Sequence, residues 1–373
     1  MKSVTESANV AEREIVVIGA GQAGLSAGYF LTRAGLAPES DLTIVDHAPG
    51  PGGAWQFRWP SLTLRTANRV HDLPGLPLRT DRDEVPAAVV VPAYFAEYER
   101  RFGLRVRRPV SVRAVRGDGE LLRVETDSGT YLTRGLINAT GTWERPFVPY
   151  YPGIGLFRGR QLHTRDYVRA DEFAGKRVVV VGGGISAVQL LDEISRVAST
   201  TWVTRREPEF HEQPFSADDG RAAVARVEDR VRHGLPAESV VSVTGLPVTD
   251  RVRAARARGV LRRLPMFSRI TEDGVVWDRQ LPGGPAAGTA LEADVILWAT
   301  GFRSALDHLA PLQLRGPGGG ITMTGRLATE VAADPRIHLL GYGPTASTIG
   351  ANRAGRVAVR ELLTHLGQPA PVV

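Results

Sequence analysis

Gly19-Ala20-Gly21-Gln22-Ala23-Gly24, near the start of a 373-residue chain, is a full G-x-G-x-x-G, and its surroundings decide how the rest is read. Ahead of it, Glu14-Ile15-Val16-Val17-Ile18 is a short continuous apolar run of the kind that fills a buried strand. Behind it, residues 22–34 carry helical spacing, and Leu42-Thr43-Ile44-Val45-Asp46 reads as a second strand. Strand, glycine turn, helix and strand follow in the order of a βαβ unit. The order returns at Arg177-Val178-Val179-Val180-Val181, then Gly182-Gly183-Gly184-Ile185-Ser186-Ala187, a helix over 188–198 and a strand over 200–204.

Between the two units lie a Pro- and Gly-rich stretch over 49–92 and a helix around 93–102 that places Tyr94, Phe95 and Tyr98 at core spacing. Strands over 110–115 and 121–126 follow. Downstream of each unit a hydrophobic strand ends in Ala-Thr-Gly, at Ala139-Thr140-Gly141 and at Ala299-Thr300-Gly301. A last strand over 337–341 leads into a helix from about 346 to 366, which returns the chain to the first domain. The repetition predicts an α/β fold of two Rossmann-like dinucleotide-binding domains, the second inserted in the first. Residues 1–158 and 293–373 are assigned to the first, residues 159–292 to the second.

Composition narrows the chemistry. At 43% hydrophobic the chain can bury the cores of two such domains. It has no cysteine, which excludes disulfides, thiolate metal sites, cysteine nucleophiles and redox-active thiol pairs. The net charge of +6 comes from arginines spread along the whole chain, not from a basic block with aromatics for base stacking. The densest cluster, at 251–263, reads as a solvated helical face, so no nucleic-acid partner is expected. A polar leader and apolar runs no longer than a strand predict neither a membrane partner nor export, hence a cytoplasmic location. The eight histidines form no H-x-H or H-E-x-x-H, so no metal site is expected, and no hydrolase elbow is expected either.

The glycine turns carry the binding chemistry. In such a cradle one glycine allows the tight turn, one lets backbone approach a pyrophosphate and one lets helix and strand pack closely; the helix N-terminus adds N–H donors and partial positive charge. Gly19, Gly21 and Gly24, with Gln22 opening the helix, form the first. Asp46 follows Gly24 by 22 residues, where an acid accepts hydrogen bonds from an adenosine ribose. The first cradle is therefore assigned to FAD. Gly182, Gly184, Ser186 and Ala187 form the second, and its second strand ends in Thr204-Arg205-Arg206 instead of an acid. Two guanidinium groups there suit a 2′-phosphate, so the second cradle is assigned to NADPH, with NADH admitted as a second coenzyme. A ligand-free glycine turn and two surface arginines in an Arg-rich chain are the plain alternatives.

Two further stretches carry a resemblance: Pro51-Gly52-Gly53-Ala54-Trp55, and the F-x-G-x-x-x-H-x-x-x-Y pattern from Phe157 through Gly159 and His163 to Tyr167. With them the chain resembles the flavin-containing monooxygenases, especially the small bacterial members, over nearly its full length. The resemblance implies that NADPH reduces FAD, that reduced flavin activates dioxygen, and that one oxygen atom is inserted into a small organic substrate. Tyr167, where Baeyer–Villiger relatives commonly carry Trp, implies soft nucleophiles (sulfoxidation or N-oxidation), with Baeyer–Villiger oxidation of ketones as a second outcome. It places Gly53 and Trp55 beside the flavin, and Thr140-Gly141 and Thr300-Gly301-Phe302 where each domain is re-entered beside its cofactor. His163 is implied as a hinge-organising residue, with a plain capped loop histidine as the alternative. Asn68 lies near an asparagine that in many members contacts the oxygenated flavin; an ordinary turn residue is the alternative. An NAD(P)H oxidase or ferredoxin-type reductase needs the same cradles without the Phe157 to Tyr167 pattern, and a nucleotide-sensing protein needs no chemistry at all. The sequence does not settle the oligomeric state, and a homodimer is allowed for.

Overall fold

The structure, a computed structural model, describes residues 10–67, 70–79, 81, 83–212, 217–238 and 245–368. The first part of the chain supplies β1 (Val10–Ile18), α1 (Gln22–Arg33), β2 (Leu42–Val45), α2 (Ala87–Phe102), β3 (Val112–Asp118), β4 (Leu121–Thr126) and β5 (Thr130–Asn138). β1 pairs in parallel with β2 on one side and β5 on the other, and β5 pairs in parallel with the late strand Asp334–Leu339. β3 and β4 form an antiparallel ribbon on the first half of β5. Ile15, Val16, Val17 and Ile18 are all buried, as expected of a central parallel strand covered on both faces.

Register decides where the site lies. Ile18 pairs with Val45 and with Asn138, and Asn138 with Leu339, so four parallel strands end in one row. Gly19, Asp46, Ala139 and Leu340 each follow one of those ends, on the carboxyl edge where open α/β sheets bind ligands. One face is closed by α1 and the C-terminal helix Thr348–His365, whose contact is so close that a Cβ on Gly355 would lie 2.6 Å from Ser26 Oγ. α2 begins at Ala87, earlier than expected, and contains Pro92. A proline there removes a helical hydrogen bond; its ring instead packs on Gly52, where an added Cβ would stand 2.7 Å from Pro92 Cγ. Tyr94, Phe95 and Tyr98 are buried in the core, as their spacing predicts.

The second sheet is built from β6 (Arg160–His163), β7 (Arg177–Val181), β8 (Ser199–Thr204) and the strands Arg263–Pro265 and Val295–Trp298. All five are parallel, in the order Arg263–Pro265, β8, β7, Val295–Trp298, β6. Trp298 pairs with both Val181 and His163, and Val181 with Val203, so this sheet also presents an even edge. α3 (Ile185–Ile194) opens at Gly184 on that edge. Among the described residues, no helix is long and apolar enough to cross a membrane and no group of His, Asp and Glu could hold a metal ion.

The chain divides into two compact units: the described residues of Met1–Gly141, Ala222–Val240 and Ser304–Val373, and those of Thr142–Arg221 and Val241–Arg303. The hand-overs fall near 141 and 303, not near the 158 and 293 read from sequence. Residues 145–147 run beside 301–303, with Phe147 N–H donating to Gly301 O at 2.9 Å and Arg303 N–H to Arg145 O at 2.7 Å. Trp143 also stacks on Phe302 at 5.1 Å. The middle segment comes from α4 (Ala217–Arg232) and the residues after it. Its Val231 is fully buried in the first unit's core with Leu339 and Tyr342, and Gly320 N–H donates to Gly234 O at 3.0 Å.

Candidate cofactor sites

The first cradle is shaped by what it cannot hold. Gly19 takes φ +97°, and a Cβ there would lie 2.6 Å from Ala139 O; a Cβ on Gly24 would lie 1.8 Å from Gly19 O. Gly21, at the N-cap of α1, has open space where its Cβ would be. This is the one cradle glycine facing a space that a ligand can enter, and it stands at a helix N-terminus. Gly53 closes over it, with its own Cβ position 3.0 Å from Gly21 Cα. The short 3-10 helix Gly53–Phe57 carries Trp55, half-buried, with the Arg58 guanidinium 5.7 Å over its ring.

Asp46 is buried, and its two oxygens accept from Ala20 N–H at 2.5 Å and Ala48 N–H at 2.7 Å. It thus ties β2 to the glycine turn and keeps the remaining carboxylate lone pairs for a further donor. Gln22 uses its amide N–H groups on His71 O (3.1 Å) and Asn352 Oδ1 (3.0 Å), and its Oε1 is buried without a partner among the described residues. An orphaned acceptor beside a helix N-terminus fits a ligand that brings hydroxyl groups as well as phosphate, as a flavin dinucleotide does.

The second cradle repeats the geometry. Gly182 takes φ +139°, and its Cβ would lie 2.1 Å from Ala299 O, whereas Gly184 faces open space. Ala187 is fully buried where the third glycine of the motif would stand, and Ser186 is half-buried on the first turn of α3. Thr204 Oγ1 donates to Arg206 O at 2.7 Å, fixing the chain as it leaves β8; Arg205 and Arg206 are exposed there.

Both Ala-Thr-Gly crossings share one construction. Ala305 N–H donates to Gly141 O at 3.0 Å, and Thr140 Oγ1 donates to Ala305 O at 2.7 Å. In the second unit Phe147 N–H donates to Gly301 O at 2.9 Å, and Thr300 Oγ1 donates to Phe147 O. The threonine hydroxyls therefore hold each crossing to its neighbouring segment, and the glycines Gly141 (φ +63°) and Gly301 (φ +78°) turn the chain with open space at their Cβ positions.

The Phe157 to Tyr167 pattern also has a physical basis. A Cβ on Gly159 would lie 2.5 Å from both the Phe157 ring and Asp294 O. His163 ends β6, buried; its Nδ1 accepts from Arg165 N–H at 3.1 Å, so the proton sits on Nε2, which donates to Gly301 O at 2.9 Å. Burial lowers the pKa of His163, keeping the ring neutral, and Phe302 meets it edge-on at 4.8 Å. Tyr167 is buried, stacks on Phe173 and donates to Glu193 at 3.0 Å; burial and that carboxylate push its pKa up. The 251–263 cluster is more engaged than a solvated face. Arg251 (2.9 Å) and Arg258 (2.7 Å) both clasp the buried carboxylate of Asp192. Burial opposes the charge on Asp192, yet its pKa lies below the usual carboxylate value because the Arg258 and Arg251 bonds outweigh that penalty.

Asn68 lies outside the described residues. The other site residues read from the sequence fall into two sets. Gly19, Gly21, Gln22, Gly24, Asp46, Gly53, Trp55, Thr140 and Gly141 belong to the first unit, and Gly182, Gly184, Ser186, Ala187, Arg205, Arg206, His163, Thr300, Gly301 and Phe302 to the second. Sequence reasoning missed Asn138 and His308, which brace Thr140 and belong to no motif.

The flavin-containing monooxygenase from Stenotrophomonas maltophilia is 38% identical and superposes with a TM-score of 0.79 over 95% of this chain and 99% of that one. The chain belongs to the flavin-containing monooxygenases. The wider Pyridine nucleotide-disulphide oxidoreductase family matches residues 16–244. Uncharacterized oxidoreductase CzcO of Bacillus velezensis is 27% identical over 293 residues, 79% of this chain and 82% of that protein. Indole-3-pyruvate monooxygenase YUCCA4 of Oryza sativa subsp. japonica is 27% identical over 342 residues, 79% of this chain and 75% of that protein. Membership makes the chain an oxidoreductase, a monooxygenase that works with a flavin and a nicotinamide nucleotide. The dithiol chemistry named in the wider family has no residue to run on here, since the chain has no cysteine.

Proposed function

We propose that the chain holds FAD on the first cradle and NADPH on the second, and with dioxygen inserts one oxygen atom into a small soft nucleophile, a thioether or an amine. Ketones, as Baeyer–Villiger substrates, are the second class. The observation that carries this reading is the pair of cradles, each open only at the glycine on its helix N-terminus, in a chain without thiols. Bound flavin supplies hydride acceptance and the reduction of dioxygen, chemistry no side chain here can perform.

The protein's own contribution is to bind and orient. Backbone N–H groups at Gly21 and Gly184 would receive the two pyrophosphates. The open lone pairs of Asp46 and Gln22 Oε1 would accept from hydroxyls of the first cofactor, with Gly53 and Trp55 bordering its ring system. Arg205 and Arg206 would hold the 2′-phosphate of NADPH, with NADH as the weaker coenzyme. His163, bonded at both ring nitrogens, holds Gly301 in place, and its one ring proton is committed to Gly301 O. Asn68 is proposed as the contact at the flavin's reacting edge.

The test is product analysis with NADPH, oxygen and aryl methyl thioethers, amines and ketones. Sulfoxide or N-oxide formed in proportion to NADPH consumed is the expected result. Hydrogen peroxide formed stoichiometrically with every substrate would replace this reading by an NAD(P)H oxidase.

A further inference from the structure

His308 lies in the 3-10 helix Asp307–Leu312, outside every motif that marks the cofactor sites. Its Nε2 is 2.7 Å from Asn138 Oδ1; Asn138 Nδ2 donates to Thr140 Oγ1 at 3.0 Å, and Thr140 Oγ1 donates to Ala305 O at 2.7 Å. The direction of this chain is forced from its far end. The threonine has one hydroxyl proton, given to Ala305 O, so it must accept from the asparagine amide; the asparagine then presents Oδ1, and only an imidazole with its proton on Nε2 can complete the row. Were the asparagine amide reversed, Thr140 would face an acceptor and would give up Ala305 to reach it. Asn138 is buried, so an unmatched amide there is costly.

The second unit has the same two-point lock between its Ala-Thr-Gly and the neighbouring segment, with His163 donating to Gly301 O. We propose that His308 is the positioning residue of the first cofactor's crossing: through Asn138 it fixes the Thr140 hydroxyl and so sets the backbone that meets the first glycine cradle. Ala139 O is the atom that a Cβ on Gly19 would strike at 2.6 Å, so crossing and glycine turn are in van der Waals contact and move together. The proposal rests on the assignment of FAD to this cradle.

The test measures the dissociation constant of FAD for apoprotein by flavin fluorescence, with the KM for NADPH and the melting temperature recorded alongside. His308→Leu, of similar size without the donor, is expected to weaken FAD about tenfold. His308→Gln, which keeps an N–H of similar reach, is expected to restore most of that affinity. The KM for NADPH should stay unchanged in both. In a Thr140→Val background His308→Leu should add nothing further, because the row is already broken. Should the leucine variant not fold, Thr140→Ser and Thr140→Val carry the test from the other end: the serine variant keeps FAD and the valine variant loses it. Wild-type affinity in His308→Leu, equal loss in His308→Gln, or full additivity with Thr140→Val would each overturn the proposal. Wild-type apoprotein that takes up no FAD would instead overturn the cofactor assignment, and the proposal with it.

Discussion

Gly21 and Gly24 belong to one motif and make opposite demands. A methyl group on Gly24 would sit 1.8 Å from Gly19 O, which is backbone and cannot turn aside, whereas one on Gly21 would meet nothing. Gly24→Ala is therefore expected to lower stability by about 1–3 kcal/mol or more, read by denaturant unfolding. Gly21→Val should leave the melting temperature of the apoprotein near wild type while the purified protein comes out colourless. A yellow Gly21→Val protein with full flavin content would show that the ligand does not approach there. For coenzyme choice, a charge-assisted bond to a 2′-phosphate is worth about 1.5–3 kcal/mol, with an exposed arginine at the lower end. Arg205→Gln should raise the KM for NADPH by about tenfold, leave NADH unchanged and alter kcat little, since the phosphate is remote from the hydride. Equal KM values for both coenzymes in the unmodified enzyme would mean that Arg205 points into solvent.

His308 also titrates against the fold. Burial pushes its pKa from 6.5 to about 4. Between those values the unfolded chain binds a proton that the native chain does not. The stabilisation is therefore complete above pH 6.5 and lost as pH falls towards 4, by about 3 kcal/mol at roughly 1.4 kcal/mol per unit. His338, buried and pushed down to about 3, adds a loss of the same sign. Denaturant melts from pH 7 to 4.5 should show stability falling, less steeply in His308→Gln; a flat profile in the wild type would contradict the burial of both rings.

Elements beside the glycine turns were legible because a buried parallel strand is a continuous apolar run and the helix after it has its own period. α1 and β2 end within a residue of their expected limits. In sequence Pro92 looks like a helix boundary, which shortens the expected α2, and only its contact with Gly52 shows what it gains by lying inside. β5 is legible in its buried second half, where Leu136 and Ile137 lead up to the Ala-Thr-Gly; its first half alternates between buried and part-exposed residues, a weaker signal. The motif glycines named the cradles, yet no local pattern joins His308 to Asn138, 170 residues apart. Gly355 belongs with these tertiary effects, since helix propensity disfavours it and only the 2.6 Å approach to Ser26 requires it. Gly355→Leu should separate α1 from the C-terminal helix and lower the melting temperature by several degrees, with flavin content falling alongside. An unchanged melt would show that the two helices tolerate a wider spacing.

At the scale of the molecule, the segment 222–240 lies in sequence between strands of the second sheet, but its Val231 is buried in the core of the first unit. A Cβ on Gly343 would lie 3.0 Å from a Val231 methyl, which places this segment against the turn that follows strand Asp334–Leu339. Val231→Asp should therefore lower flavin retention and stability together, by about 3 kcal/mol for a buried charge without a partner. The sequence neighbourhood alone would have assigned the loss to the second unit. Retained flavin with impaired binding of NADP⁺ would return the segment to the second unit.

The same threading limits what can be exchanged between relatives. A transplant of the second unit with seams only near 142 and 303 would also carry away residues 222–240, and the recipient would receive a foreign piece of its own first-unit core. A working chimaera needs four seams, two of them flanking that stretch, so on the proposed role of Arg205 and Arg206 the expected route to a changed coenzyme preference is point changes there, not the shuffling of whole segments.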